Sequence, residues 1–382
     1  MLNKNLLPTI NQYKTPFYLY DLELLQKTIS AILTESKKYN YHVHYAFKAN
    51  SNKTLIEIIN KNGLGADCVS GNEVKCAIEN GFNNNSIVYA GVGKSDDEIN
   101  YALDNQIFCF NCESVQELIV INELAQQKNT IAQIALRINP NVDAYTHKYI
   151  TTGLEENKFG INPYEFESVI DQIKKLPCIK LIGLHFHIGS QITDLSPFKK
   201  LCTRVNEINT YFLSKGYDLP IINVGGGLGI NYHEPDKEAI NNFEAYFKVF
   251  NDFIELRKNQ ELHFELGRSV IANCGNLISK VLYIKNGINT NFAILDAGMT
   301  ELIRPALYQA FHKIENVSST STTIVKYDVV GPICESSDCF GKAVELPLTQ
   351  RGDIIAIRSA GAYGEVMSSR YNLRDEIRSY FY

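Results

Sequence analysis

The chain has 382 residues, enough for two domains and a sizeable core. Hydrophobic residues make up 45% and charged residues 21%, the balance of an ordinary globular protein. A net charge of −5 and a pI near 6.0 exclude the basic footprint of a nucleic-acid binder and a polybasic membrane anchor.

Near the N-terminus, Phe17–Asp21 follows Pro16 and reads as a strand. From about residue 41 to 265, short β-rich runs alternate with helical stretches. The strand candidates are Tyr41–Phe47, Leu64–Val69, Ser86–Ala90, Gln106–Phe110, Gln133–Ile138, Leu181–His187, Pro220–Val224 and Glu261–Glu265. Helix-like segments lie between them, among them Asn72–Asn80, Ser114–Gln127 and Phe243–Arg257, and Ser114 with Glu117 reads as a capping box. Eight strands with helical crossovers predict a (β/α)8 barrel, whose usual size is about 250 residues. An open doubly wound sheet is the competing arrangement. After Glu265 the pattern turns mostly β, with candidates at Ser269–Asn273, Leu277–Lys285, Asn291–Leu295, Thr322–Val330 and Asp353–Ser359. The expected division is a barrel over residues 25–265 and a β domain built from residues 1–24 and 266–382.

No apolar run approaches the roughly 18 residues of a membrane span, and Met1–Pro8 carries no apolar core of a signal peptide. The nine cysteines read as reduced thiols of a cytoplasmic protein. The pair Cys109 and Cys112 has no second pair to complete a zinc site, so it reads as core packing.

Barrel enzymes carry their chemistry at the C-terminal ends of the strands. Lys48 stands there after the first barrel strand. Burying an ammonium is costly, desolvation lowers its pKa, and a neutral amine can condense with an aldehyde. The plain alternative is a lysine just past the strand with its head in water. Asp67 lies near the end of the second strand, His187 closes the sixth, and Gly225-Gly226-Gly227 follows the seventh, where barrel enzymes bind phosphate. Glu265 ends the eighth and is placed to keep a pyridine nitrogen protonated, with Gly267 and Arg268 close behind. In the second domain Arg304, Tyr308, Cys334, Glu335 and Tyr363 form a further group, whose arginine and tyrosines are of the kind that holds carboxylates and phosphates. His42 with His44, and His185 with His187, each share a strand face, as zinc ligands do. The first pair lies too deep for the barrel mouth, so no metal is expected in the reaction.

In order along the chain stand HYAFKAN, GADCVSGNE, YAGVGKSDDEI, THKYITTGLEENKFGI, HFHIGSQI, NVGGGLGI, ELGRSV, DAGMTELIRPALYQAFH, GPICESSD and GAYGEVMSSRYN. With these motifs the chain resembles the diaminopimelate decarboxylases over nearly its whole length. The Thr146–Ile161 stretch and the IRPALY segment separate it from decarboxylases of ornithine, arginine or carboxynorspermidine. The resemblance implies an alanine-racemase-like fold, barrel plus β domain, and pyridoxal 5'-phosphate as cofactor. It implies that Lys48 holds the cofactor and His187 stacks on its ring. Ser190 and Gly225, Gly226 and Gly227 line the phosphate, and Asp67, Glu265, Gly267, Arg268 and Tyr363 complete the cofactor site, Tyr363 touching the substrate as well. Arg268, Arg304 and Tyr308 take the substrate's distal carboxylate, Glu335 its distal amine, and Cys334 donates the proton. It further implies a homodimer with shared active sites. The expected reaction converts meso-2,6-diaminopimelate to L-lysine and CO2, the last step of lysine biosynthesis. The alternatives are decarboxylation of another basic amino acid or polyamine precursor, and a non-catalytic cofactor-binding regulator. Two features depart from the family pattern: Leu266 in place of a proline, and a tail after Asn372 without the usual proline-containing run.

Overall fold

The computed structural model describes residues 4–142 and 158–382. Most of the Thr146–Ile161 motif lies outside the described residues. The described residues fall into two compact units: one takes residues 29–229 and 242–267, the other those up to 28, from 230 to 241 and from 268 onward. Residues 230–241 thus belong to the second unit although they lie between barrel strands in the chain.

The first strand, β1 (Phe17–Tyr20), belongs to the second unit. In the first unit, eight parallel strands close on themselves: β2 (His42–Ala46), β3 (Gly65–Cys68), β4 (Ile87–Tyr89), β5 (Cys109–Cys112), β6 (Ala132–Ile138), β7 (Ile179–Phe186), β8 (Ile221–Asn223) and β9 (Glu261–Leu266). The seam pairs β2 with β9, His42 opposite His263. The closed barrel settles the choice against the open doubly wound sheet. Sequence and structure agree to within a few residues on all eight strands, because each is a short apolar run bounded by polar turns. Gly65 is required where β3 passes the His44 ring, since a Cβ there would lie 2.4 Å from Nδ1. Helices begin on polar caps just past the strands: Ser70 accepts from the Glu73 N–H, and Ser95 and Glu98 form a full capping box. Ser114 caps its helix, Val115–Gln127, but the predicted box is incomplete. The Glu117 carboxylate instead accepts from Lys94 and from the Glu113 N–H. Cys109 and Cys112 are buried within β5, each thiol directed at the Phe110 carbonyl, and burial raises both pKa values.

The second unit is a mostly β structure. β10 (Gly275–Asn286), β11 (Asn291–Leu295), β12 (Ile314–Asn316), β13 (Ile324–Val330), β14 (Cys339–Pro347) and β15 (Ile354–Ile357) join in the order β12-β15-β10-β11-β13-β14. β1 pairs antiparallel with β10 and parallel with β16 (Arg378–Phe381). The atypical tail therefore supplies a strand, and its Tyr380 stacks on Tyr13 with ring centres 3.6 Å apart. Ile10, Phe17, Leu19, Ile278, Val317, Ile354 and Ala356 form the apolar core of this sheet. The predicted strand at Ser269–Asn273 is not one. Arg268–Ile271 turns as a short helix, with the Ala272 N–H donating to the Arg268 carbonyl at 3.0 Å. Its four residues are all buried, and that burial gave the run its strand-like apolar character.

Candidate active site

In the barrel, the end of β2 turns through a single 3-10 step, Phe47–Ala49, that carries Lys48. Its Nζ donates to Asp67 Oδ2 at 2.8 Å. Asp67 is fully buried in β3, and its other oxygen, Oδ1, has no hydrogen-bond partner among the described residues. Burial and the charge of Glu265 raise the Asp67 pKa against the pull of Lys48.

Glu265 points inward from β9 and is held by three donors. Asn111 of β5 and Asn223 of β8 donate to Oε1 at 3.1 and 2.8 Å, and His185 Nε2 donates to Oε2 at 3.0 Å. Burial would raise its pKa. The pull of His185 and its hydrogen bond, with Lys48 behind them, outweigh burial and hold the carboxyl well below its usual range. The two buried carboxyls are thus pushed apart, Glu265 to the ionised side and Asp67 toward the protonated side.

His187 follows the end of β7. Burial first, then Arg137 and Lys48, push its pKa well down, so the ring is neutral. The Gly226 N–H approaches its Nδ1 at 3.4 Å. The triple glycine after β8 is packed against backbone: a Cβ on Gly226 would sit 1.9 Å from the Glu265 carbonyl, and Gly225 and Gly227 have φ of +69° and +104°. No side chain fits this turn. Gly225 gives its N–H to Asn223 Oδ1 at 2.9 Å, whereas no described residue accepts from the Gly227 N–H. Ser190 is half-buried on the loop after β7, and Gly267 directly follows β9.

These residues fit pyridoxal phosphate. They comprise an amine on a short rigid turn, an ionised carboxylate for a ring nitrogen, a neutral flat ring, and a glycine cradle bare of side chains. The sequence motifs named Lys48, Asp67, His187 and Glu265. They passed over Asn111 and gave no role to Asn223, which opens NVGGGLGI; the signal of each is a lone amide on an otherwise apolar strand.

In the β unit, Arg268 and Arg304 are both buried and share one phenol. Arg268 Nη1 donates to Tyr232 Oη at 2.6 Å and Arg304 Nη1 at 2.9 Å. Arg304 also donates to His312 Nε2 at 2.8 Å, which fixes the proton on Nδ1, donating to the Arg358 carbonyl at 2.9 Å. Burial and Arg304 push the His312 pKa down to about 3, so it is a neutral acceptor. Burial would raise the Tyr232 pKa, but the two guanidiniums lower it on balance. No described carboxylate lies within ion-pair distance of Arg304. Tyr363, at φ +55°, places its ring 4.8 Å from the Arg268 guanidinium carbon. Tyr308, half-buried, closes the Arg304–Tyr308 helix. Cys334 and Glu335 are exposed and stand apart from this cluster. The Cys334 N–H reaches Asn372 Oδ1 at 3.4 Å, and Glu335 accepts from the Tyr371 hydroxyl at 2.9 Å. Tyr232 lies outside the sequence motifs and His312 closes DAGMTELIRPALYQAFH without a role there, since both act only through the arginines.

Residues 23–272 match the family described as pyridoxal-dependent decarboxylase, pyridoxal binding domain. The barrel and the residues inside it therefore define a pyridoxal-dependent decarboxylase. The diaminopimelate decarboxylase of Bacteroides thetaiotaomicron is 56% identical over 368 residues, covering 96% of this chain and 95% of that one. That of Aquifex aeolicus is 40% identical over 362 residues, covering 95% and 85%. The solved structure of the Helicobacter pylori diaminopimelate decarboxylase complexed with L-lysine superposes with a TM-score of 0.92 at 39% identity, covering 98% of this chain and 93% of that one. The chain belongs to the diaminopimelate decarboxylase family.

Proposed function

We propose that the protein decarboxylates meso-2,6-diaminopimelate to L-lysine and CO2 with pyridoxal phosphate. The observation that carries this reading is the buried pair Arg268 and Arg304, linked through Tyr232, with Arg304 lacking a carboxylate partner. A buried guanidinium with no carboxylate within ion-pair distance among the described residues, held beside a second one, forms a receptor for a carboxylate. A basic amino acid without a second carboxylate would leave that charge unanswered.

Pyridoxal phosphate supplies an electron sink for the pair left when CO2 departs. Lys48 holds the cofactor through its amine, and Asp67 keeps that amine in place by its 2.8 Å hydrogen bond. Glu265, kept ionised by His185 and by its two asparagine donors, holds a proton on the ring nitrogen. His187 stacks on the ring, while Ser190 and the glycine turn, Gly227 foremost, take the phosphate. Arg268, Arg304 and Tyr308 receive the distal carboxylate, and Tyr363 contributes to both groups. Cys334 donates the proton to Cα and Glu335 holds the distal amine. Because both are exposed in the isolated chain, this assignment calls for a second copy of the chain to bring them to the substrate.

The test is CO2 release from cofactor-loaded protein given meso-diaminopimelate or ornithine, with Lys48→Ala as the blank. Release from diaminopimelate alone supports the reading. Equal turnover of ornithine overturns the substrate assignment, and no release from either leaves a regulator.

A further inference from the structure

At the N-terminal end of the barrel, away from the strand ends that carry Lys48 and Glu265, three metal-ligating side chains converge. His42 opens β2, Glu261 opens β9, and His263 stands two residues further on the same face of β9. His42 and His263 are register partners across the seam, with their rings stacked at 4.7 Å. Glu261 Oε2 lies 3.6 Å from His42 Nε2 and 3.5 Å from His263 Nε2. One donor atom from each residue lies within 4.8 Å of the other two.

The decisive feature is inside the wall. His263 is 4% exposed, and its Nε2 has no hydrogen-bond partner among the described residues. Its Nδ1 is 2.9 Å from His44 Nε2, and His44 Nδ1 is 3.0 Å from the Ser86 carbonyl. A carbonyl can only accept, so His44 Nδ1 carries a proton and donates it. His44 Nε2 is then the acceptor for His263 Nδ1–H. This relay leaves the His263 Nε2 lone pair aimed at His42 and Glu261. Carbonyl and imidazole partners of this kind fix the tautomer of metal-binding histidines. Phe108 stacks on the His263 ring at 5.6 Å and holds its plane.

A plain ion pair explains this cluster poorly. At 3.5 and 3.6 Å the carboxylate is too far from either nitrogen for a good hydrogen bond. It is near the spacing of neighbouring ligands around tetrahedral zinc, about 3.3–3.4 Å for bonds of about 2.0–2.1 Å.

We propose that His42, Glu261 and His263 form a binding site for a divalent transition metal of the zinc type, with solvent in the fourth position, clasping the first and last strands of the barrel. The His42 side chain is 45% exposed, so an ion reaches the site from solvent. The site is separate from the decarboxylation chemistry and stabilises the barrel's closing seam.

The experiment uses tag-free, cofactor-loaded protein, stripped with chelator and then dialysed against micromolar Zn2+. Wild type should retain about one ion per chain by elemental analysis and melt at a higher temperature with zinc than without. His42→Ala and Glu261→Gln, both at exposed positions that do not endanger the fold, should each weaken zinc binding at least about 10-fold and abolish the thermal gain. Decarboxylation should be the same before and after chelation. Zinc retention equal in wild type and both variants would overturn the proposal, as would wild type that holds no zinc.

Discussion

The two buried ionic clusters differ in balance. In the barrel, the carboxyls of Asp67 and Glu265 are answered by Lys48, His185 and two asparagines. In the β unit, Arg268 and Arg304 are joined by the Tyr232 phenol, and Arg304 leans on the neutral His312 imidazole with no carboxylate within ion-pair distance among the described residues. A balanced cluster sets protonation states and holds them. An unbalanced one attracts a charge of opposite sign from outside the chain. The first suits a resident cofactor and the second a substrate carboxylate.

That contrast can be broken from either side. The largest loss is expected for Lys48→Ala, which should lower decarboxylation by at least about 10³-fold and abolish the visible absorption of bound cofactor. Next, Glu265→Gln should lower kcat roughly 10²-fold or more while cofactor still binds, since the amide cannot hold the ring proton. Its effect on stability also has a sign. The carboxyl pKa is depressed in the fold, so its contribution is present above the unfolded value near 4.3 and is lost only as pH falls well below that. Wild type and Glu265→Gln should therefore converge in chemical denaturation only in strong acid.

His312 gives a dependence of the same sign in a higher pH window. Its pKa of about 3 lies below the unfolded value near 6.5, so folding excludes a proton between those limits. Stability should fall as pH drops from about 6.5 toward 3, by up to about 1.4 kcal/mol per pH unit from this group. His312→Gln should flatten the slope by up to one proton, read from urea midpoints across that range. The smallest structural effect is expected for Cys334→Ser. Being exposed, it should change stability by less than about 0.5 kcal/mol, while loss of the proposed proton donor should lower kcat by about 10²-fold.

The barrel was the more legible unit. Its strands are short, buried and bounded by polar turns, and its reactive residues stand at their ends. The β unit was less so. Ile314–Asn316 is three residues long, and Cys339–Pro347 is interrupted by Gly341 and exposed charges, so neither shows a clean alternation. Arg378–Phe381 exists as a strand because β1 pairs with it, a contact some 360 residues apart in the chain. Within the clusters, the residue types pointed to the charged members and gave no role to their polar partners, two of which, Asn223 and His312, lie within motifs. Asn111, Asn223, Tyr232 and His312 matter for where they donate or accept, which only the closed fold determines.

The most direct measurement of this division of labour is Arg304→Met assayed for both cofactor absorbance and kcat/KM with meso-diaminopimelate. Removing one partner of a buried charge pair costs about 3–5 kcal/mol, so kcat/KM should fall by roughly 10²–10⁴-fold with cofactor absorbance unchanged. Unchanged kcat/KM, or a loss of cofactor in step with activity, would contradict the account.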